Sequence, residues 1–132
     1  VMEGVSFTLR QALEICESLT GQADVLVASG GGVESTVWRQ IVTDIIGRPL
    51  RKSLQTEQSA LGAAMLAGVG IKHYATDGSP MDNFMRLRDM VAHYDDPTPY
   101  NERDHKFYTQ RYEHYKTLYP LLKADLNRLA GC

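Results

Sequence analysis

At 132 residues the chain has the size of one compact domain or of part of a larger one. Its 43% hydrophobic and 23% charged residues exclude a disordered segment. A net charge of −2 excludes nucleic acid and anionic membranes as electrostatic partners.

Two cysteines, Cys16 and Cys132, have neither metal-ligand spacing nor a disulfide framework, a usage that suits a cytoplasmic protein. No apolar run approaches the ~20 residues of a membrane span. The chain begins at Val1, without an initiator Met and already inside a helical pattern, so it reads as a piece of a longer protein.

Residues 1–20 predict a first helix. Val5, Leu9, Ala12, Cys16 and Leu19 form an apolar stripe that Phe7 and Leu13 widen, and Gly21 stops the helix. On this stripe Cys16 reads as a packed small hydrophobe. Residues 24–29 predict a continuous apolar strand buried on both faces. Gly30, Gly31 and Gly32 follow, then a helix over 33–46 with Val37, Trp38, Ile41, Val42 and Ile45 on its buried side and Gly47 at its end. Residues 50–55 predict a second strand. Thr56 is expected to cap a small-residue helix over 57–69, whose Ala60, Gly62, Ala63, Ala64 and Ala67 would allow a close approach to a neighbour. This α-β-α-β-α order over 1–70 implies two parallel strands joined by a crossover.

Ser79-Pro80 predicts the start of another helix, with Pro at the first helical position and Asp82 near the cap, running to about Val91. Residues 93–100 carry Pro97 and Pro99 and read as a loop. Asn101 caps a long last helix. Its Tyr108, Tyr112, Tyr115, Tyr119, Leu122, Leu126 and Leu129 alternate by four and three, an apolar seam of coiled-coil type. Pro120 is expected to kink that helix or split it at Tyr119. Exposed strand edges and this seam predict self-association, hence a homo-oligomer.

Strand, glycine turn and helix N-terminus in sequence make a place where backbone can approach a flat or anionic ligand without side-chain obstruction. The stretch over 28–50, ASGGGVESTVWRQIVTDIIGRPL, closely resembles the adenosine-motif segment of the FGGY carbohydrate kinases. EQSALGAAMLAG over 57–68 looks like that family's next signature, in matching order and separation, and VMEGVSF over 1–7 resembles the helix start before them. The tyrosine-rich tail is similar to the last helix of xylulokinase-like and gluconokinase-like members.

The resemblance covers nearly the whole chain. It implies an α/β fold: the later part of an actin-like ATPase, ribonuclease H-like domain, with a short parallel sheet, packed helices and a long C-terminal helix. It implies ATP and Mg²⁺ as cofactors and transfer of the γ-phosphate to the hydroxyl of a pentulose or related sugar, with an Asp as general base. By resemblance Gly30, Gly31 and Gly32 line the adenosine pocket, with Ser35 near the adenine or ribose. Many members carry Asn where this chain has Ser35. Thr43 stands where Ala is usual before Asp44, with a local packing consequence expected.

The family's Asp-x-Gly-Thr phosphate loop has no match. Asp77-Gly78-Ser79 follows no strand and reads as a turn, and the segment expected to carry the catalytic Asp would precede Val1. No catalytic residue and no metal ligand is therefore assigned, and the chain alone is expected to be inactive. Two other readings stand beside this one. A non-catalytic nucleotide-binding or interaction module is the first. The second is a dinucleotide-dependent oxidoreductase fragment, with Gly30-x-Gly32-x-x-Ser35 as half a fingerprint and Glu57 as the ribose acid.

Among the remaining residues, Glu57 reads as a carboxylate favoured by a helix dipole. Trp38 reads as core. His73, His93, His105 and His114 lack ligand spacing and default to surface or loop roles. Asp95-Asp96 before Pro97 reads as a solvated turn.

Overall fold

The computed structural model describes residues 1–55, 57–72 and 78–131. Its elements are α1 (Met2–Thr20), β1 (Leu26–Ala28), a 3-10 turn (Gly31–Glu34), α2 (Thr36–Ile46), β2 (Leu50–Lys52), α3 (Gln58–Gly70), α4 (Pro80–Val91) and α5 (Glu102–Ala130). The predicted order holds throughout. The expectations for Thr56, His73, Asp77 and Cys132 fall outside the described residues.

β1 and β2 pair in parallel, Leu26 opposite Leu50 and Ala28 opposite Lys52. Burial departs from the sequence pattern. Val27 is 53% exposed, so β1 is not covered on both faces, and Val37 likewise points outward from α2. The loop predicted over 93–100 is found, and it lies as a strap along the free edge of β2. Leu50 exchanges both backbone hydrogen bonds with Thr98, Asp95 N–H donates to Lys52 O, and Leu54 N–H donates to His93 O. Pro97 and Pro99 carry no N–H, a composition tolerated at a sheet edge.

The core forms where α1 and α2 meet the first half of α5. Phe7, Ile45 and Tyr112 are buried, with Ile41, Tyr108 and Tyr115 packed around them. The Phe7 ring lies 5.3 Å from that of Tyr115 and 5.9 Å from that of Tyr112, contacts worth about 0.5–1.5 kcal/mol per pair beyond area burial. Arg10 lies over the Tyr112 ring, and Tyr112 Oη donates to Glu14 Oε2 at 2.7 Å. Burial, then the bond to Glu14, raises the Tyr112 phenol above its ordinary pKa.

This arrangement overturns the stripe expected for α1. Phe7 enters the tyrosine cluster with Ser6 beside it, and Arg10 reaches Ile45 O and Thr109 Oγ1. Val5, Leu9, Ala12, Cys16 and Leu19 therefore lie on the far side, exposed. Cys16 is an exposed thiol, not a packed one.

Helix ends follow local chemistry. Gly21 N–H donates to Glu17 O, and Gly47, at φ 75°, returns its N–H to Thr43 O. Ser79 and Asp82 form a reciprocal capping box on α4, and Ser79 holds the Asp82 carboxyl below its ordinary pKa. Asn101 Oδ1 caps α5 through the Arg103 and Asp104 N–H groups. Glu57 occupies the cap position of α3 without a side-chain capping bond.

Two helix expectations change. α5 is not split at Tyr119 and continues past Pro120 to Ala130, because losing one N–H removes one ladder bond while the turns on either side persist. Ala60, Ala63, Ala64 and Ala67 of α3 are exposed and a Cβ on Gly62 would meet nothing within 4 Å, while the buried positions are Met65 and Gly68. Thr43 is fully buried and donates to Arg39 O at 2.7 Å, the packing consequence expected there. His105 has a built role, its Nδ1 within 2.8 Å of Asp44 O and its ring packed against Gly47, in contrast to the surface role expected.

Candidate functional site

β1 ends in Ala28, and the chain must reverse within a few residues to enter α2. Gly30 makes that turn at φ 92°, a conformation that L side chains rarely adopt. Val33 N–H donates to Gly30 O and Ser35 N–H to Gly32 O, closing the 3-10 turn. Ser35 then caps α2, its Oγ accepting from Trp38 N–H at 3.3 Å.

The structure divides the four residues expected at the site. A Cβ added to Gly30 or Gly31 would meet nothing within 4 Å. At Gly32 a Cβ would collide with the Trp38 ring, so this glycine makes room for an indole. Ser35 spends its hydroxyl on the helix cap. Open backbone is thus concentrated at Gly30 and Gly31. Trp38, read as core, is half-buried against Gly32 as a wall of the fold.

Two hollows meet at those open glycines. The larger, about 470 Å³, runs along the sheet between α1 and α2 and is walled by Leu9, Leu13, Leu26, Val27, Trp38 and Val42. The smaller, about 270 Å³, opens past the carboxyl ends of β1 and β2, where Glu34, Lys52, Ser53, Gln55 and Gln58 converge with Gly30 and Gly31. Ligands of open parallel sheets bind beyond the strands' carboxyl ends. The larger cleft is mostly apolar, with Ser29 and Arg39 at its edge; the smaller hollow carries more polar side chains and occupies the position beyond the strand ends.

Its geometry is fixed by a residue expected to be solvated. Asp95, on the strap, accepts from Lys52 N–H at 2.6 Å through Oδ1 and pairs with Arg39 through Oδ2. One carboxylate therefore ties the strap, β2 and α2 together. Burial pushes the Asp95 carboxyl upward, but the Lys52 amide and the Arg39 guanidinium outweigh it and hold the pKa below its ordinary value. Across the hollow Lys52 Nζ donates to Glu34 Oε2 at 2.6 Å.

Sequence reasoning missed Glu34 and Lys52 at the hollow and Asp95, which bonds Lys52 N–H and Arg39 behind it. The available signal was position: Glu34 lies in the glycine turn, and Lys52 is the last residue of the strand that β1 must pair with. Nothing local marks Asp95, which lies 56 positions from Arg39. The dinucleotide reading loses its acid, because Glu57 stands before α3 instead of at a strand end. Among the described residues no group of three or more His, Cys, Asp or Glu side chains is placed to hold a metal ion, and no helix is long and apolar enough to cross a membrane.

Residues 1–71, more than half of the chain, match the family model described as FGGY family of carbohydrate kinases, C-terminal domain. A xylulose kinase of Staphylococcus epidermidis is 28% identical over 129 residues, which is 96% of this chain and 25% of that protein. An autoinducer-2 kinase of Photorhabdus laumondii is 40% identical over 63 residues, 48% of this chain and 12% of its own length. The crystal structure of ligand-bound xylulose kinase from Lactobacillus acidophilus superposes with a TM-score of 0.83 at 20% identity, over 98% of this chain and 25% of that one. The fold is that of the corresponding part of an actin-like ATPase. The chain spans about a quarter of the length of the xylulose kinases it matches.

Proposed function

The chain belongs to the FGGY family of carbohydrate kinases, and from that premise we propose that it forms the adenosine-binding part of an ATP-dependent kinase acting on a pentulose of the xylulose type. In this reading residues 1–132 are the later part of the kinase's nucleotide-side domain, with 1–70 as its α-β-α-β-α core and 79–130 as its C-terminal helices. The observation that carries it is the open backbone of Gly30 and Gly31 at the carboxyl end of β1, facing a polar hollow.

Phosphoryl transfer depends on positioning and charge stabilisation more than on covalent chemistry by the protein. The part played by this chain is to seat the nucleoside, so that the γ-phosphoryl group meets the sugar hydroxyl in line. Gly32 and Ser35 serve by shaping the turn, one admitting Trp38 and the other capping α2. Mg²⁺ arrives with the triphosphate; no cluster among the described residues fits it, and no residue here is assigned to it. On this account the isolated chain does not phosphorylate sugar.

The partners are ATP or ADP, the sugar held by the remainder of the kinase, and a second copy. The second half of α5, with Tyr119, Leu122, Leu126 and Leu129 exposed, and the free side of β1 supply surfaces for self-association. Light scattering on the isolated chain is expected to report a species larger than monomer, and a clean monomer at high concentration contradicts that part.

The experiment for the main reading is Gly31→Val in the kinase that carries this chain. The new side chain enters open space, so the fold is kept while the approach to the backbone is blocked. The ATP KM is expected to rise at least about tenfold, ~1.4 kcal/mol of lost binding, with the sugar KM unchanged. Unaltered ATP kinetics would refute the role.

A further inference from the structure

The Glu34–Lys52 pair is a poor candidate for a stabilising contact. The Glu34 side chain is 65% exposed, and exposed ion pairs contribute about 0–1 kcal/mol. Its location is more telling. One partner rises from the glycine turn and the other from the end of β2, so the pair spans the rim of the polar hollow.

Glu34 Oε2 accepts from Lys52, whereas Oε1 has no partner among the described residues. The Lys52 ammonium has further protons to donate. A free carboxylate oxygen beside a lysine ammonium offers one acceptor and one donor side by side. A vicinal diol asks for that combination, since each hydroxyl both donates and accepts. Phosphate is repelled by Glu34, so the phosphates point away from this rim while the nucleoside lies against Gly30 and Gly31. Val33 and Leu54 also line the hollow and give apolar contact to a flat base. The sugar that links base to phosphates then falls at the rim.

Resting on the proposed nucleotide site, we infer that the Glu34–Lys52 pair is the ribose clamp of this chain, Glu34 accepting from the 2′-hydroxyl and Lys52 donating to the neighbouring 3′-hydroxyl. The site thereby selects ribonucleotides over 2′-deoxyribonucleotides. No bond is made or broken in this role.

Calorimetric titration of the kinase with ADP and with 2′-deoxy-ADP tests the clamp. The wild type is expected to prefer ADP by about tenfold, the scale of one hydrogen bond to a charged group. Glu34→Gln, which keeps an acceptor oxygen but loses its charge, should cut that ratio severalfold while leaving 2′-deoxy-ADP affinity within about twofold. Lys52→Met should weaken both ligands, because both retain the 3′-hydroxyl. A wild type indifferent to the 2′-hydroxyl, or a Glu34→Gln variant with the wild-type ratio, overturns the clamp. Gly31→Val separates the two levels of the argument. If it weakens both ligands while Glu34→Gln changes nothing, the nucleotide site stands and the clamp falls. If it weakens neither, the site itself falls and the clamp with it.

Discussion

The two hollows on either side of Gly30 and Gly31 share a wall and differ in almost everything else. One is large, apolar and stretched along the sheet; the other is smaller, polar and set at the strands' carboxyl ends. The comparison teaches that volume is a poor guide to a binding site when part of a hydrophobic core lies open. Val27 and Leu9 face the larger cleft because strand and helix alternate apolar residues toward a covering layer. Glu34, Lys52 and Gln58 come to the smaller hollow from the glycine turn, the end of β2 and the start of α3.

The adjacent glycines offer the sharpest way to break the comparison. Gly32→Ala drives a Cβ into the Trp38 ring on the cleft side. It should destabilise the fold by about 1–3 kcal/mol, the usual cost of overpacking, read from the urea midpoint by Trp38 fluorescence. Gly31→Ala meets nothing within 4 Å and should stay within about 0.5 kcal/mol of wild type while weakening nucleotide binding. Equal stability losses at the two positions would erase the distinction.

Asp95→Asn is expected to cost about 1–2 kcal/mol at neutral pH by leaving the half-buried Arg39 with a weaker partner. The sign of its pH dependence follows from a folded-state pKa held below the ordinary value. The stabilisation is complete above the unfolded pKa of about 4 and is lost as pH falls below it. Urea midpoints of wild type and variant should therefore differ at pH 7 and draw together as pH falls below about 4; a gap that does not narrow in acid contradicts the clip. The smallest effect is expected in the apolar cleft, where Val27→Thr on an exposed face should change stability by less than about 0.5 kcal/mol and nucleotide affinity not at all. A marked loss of affinity there would move the ligand to the larger cleft.

What was legible in the sequence was whatever local chemistry decides. Helix starts at Ser79 and Asn101 and helix stops at Gly21 and Gly47 follow from capping rules that operate within four residues. The glycine turn and the parallel pairing were legible for the same reason. Burial was less so. α1 carries two apolar faces, and only the tyrosines of α5, a hundred residues away, decide that Phe7 turns inward and Leu9 does not. The strap over 93–99 was obscured because its prolines signal a loop, while its backbone pairing depends on β2. Asp95 shows the same limit at the site: a carboxylate beside a proline reads as solvated until Arg39 and Lys52 are brought to it by the fold.

The most direct measurement is a crystal structure of the kinase carrying this chain, soaked with ADP. The account predicts the nucleoside in the polar hollow, against the backbone of Gly30 and Gly31 and within reach of Glu34 and Lys52. Density for the nucleotide in the apolar cleft, or at any place removed from that turn, would contradict it.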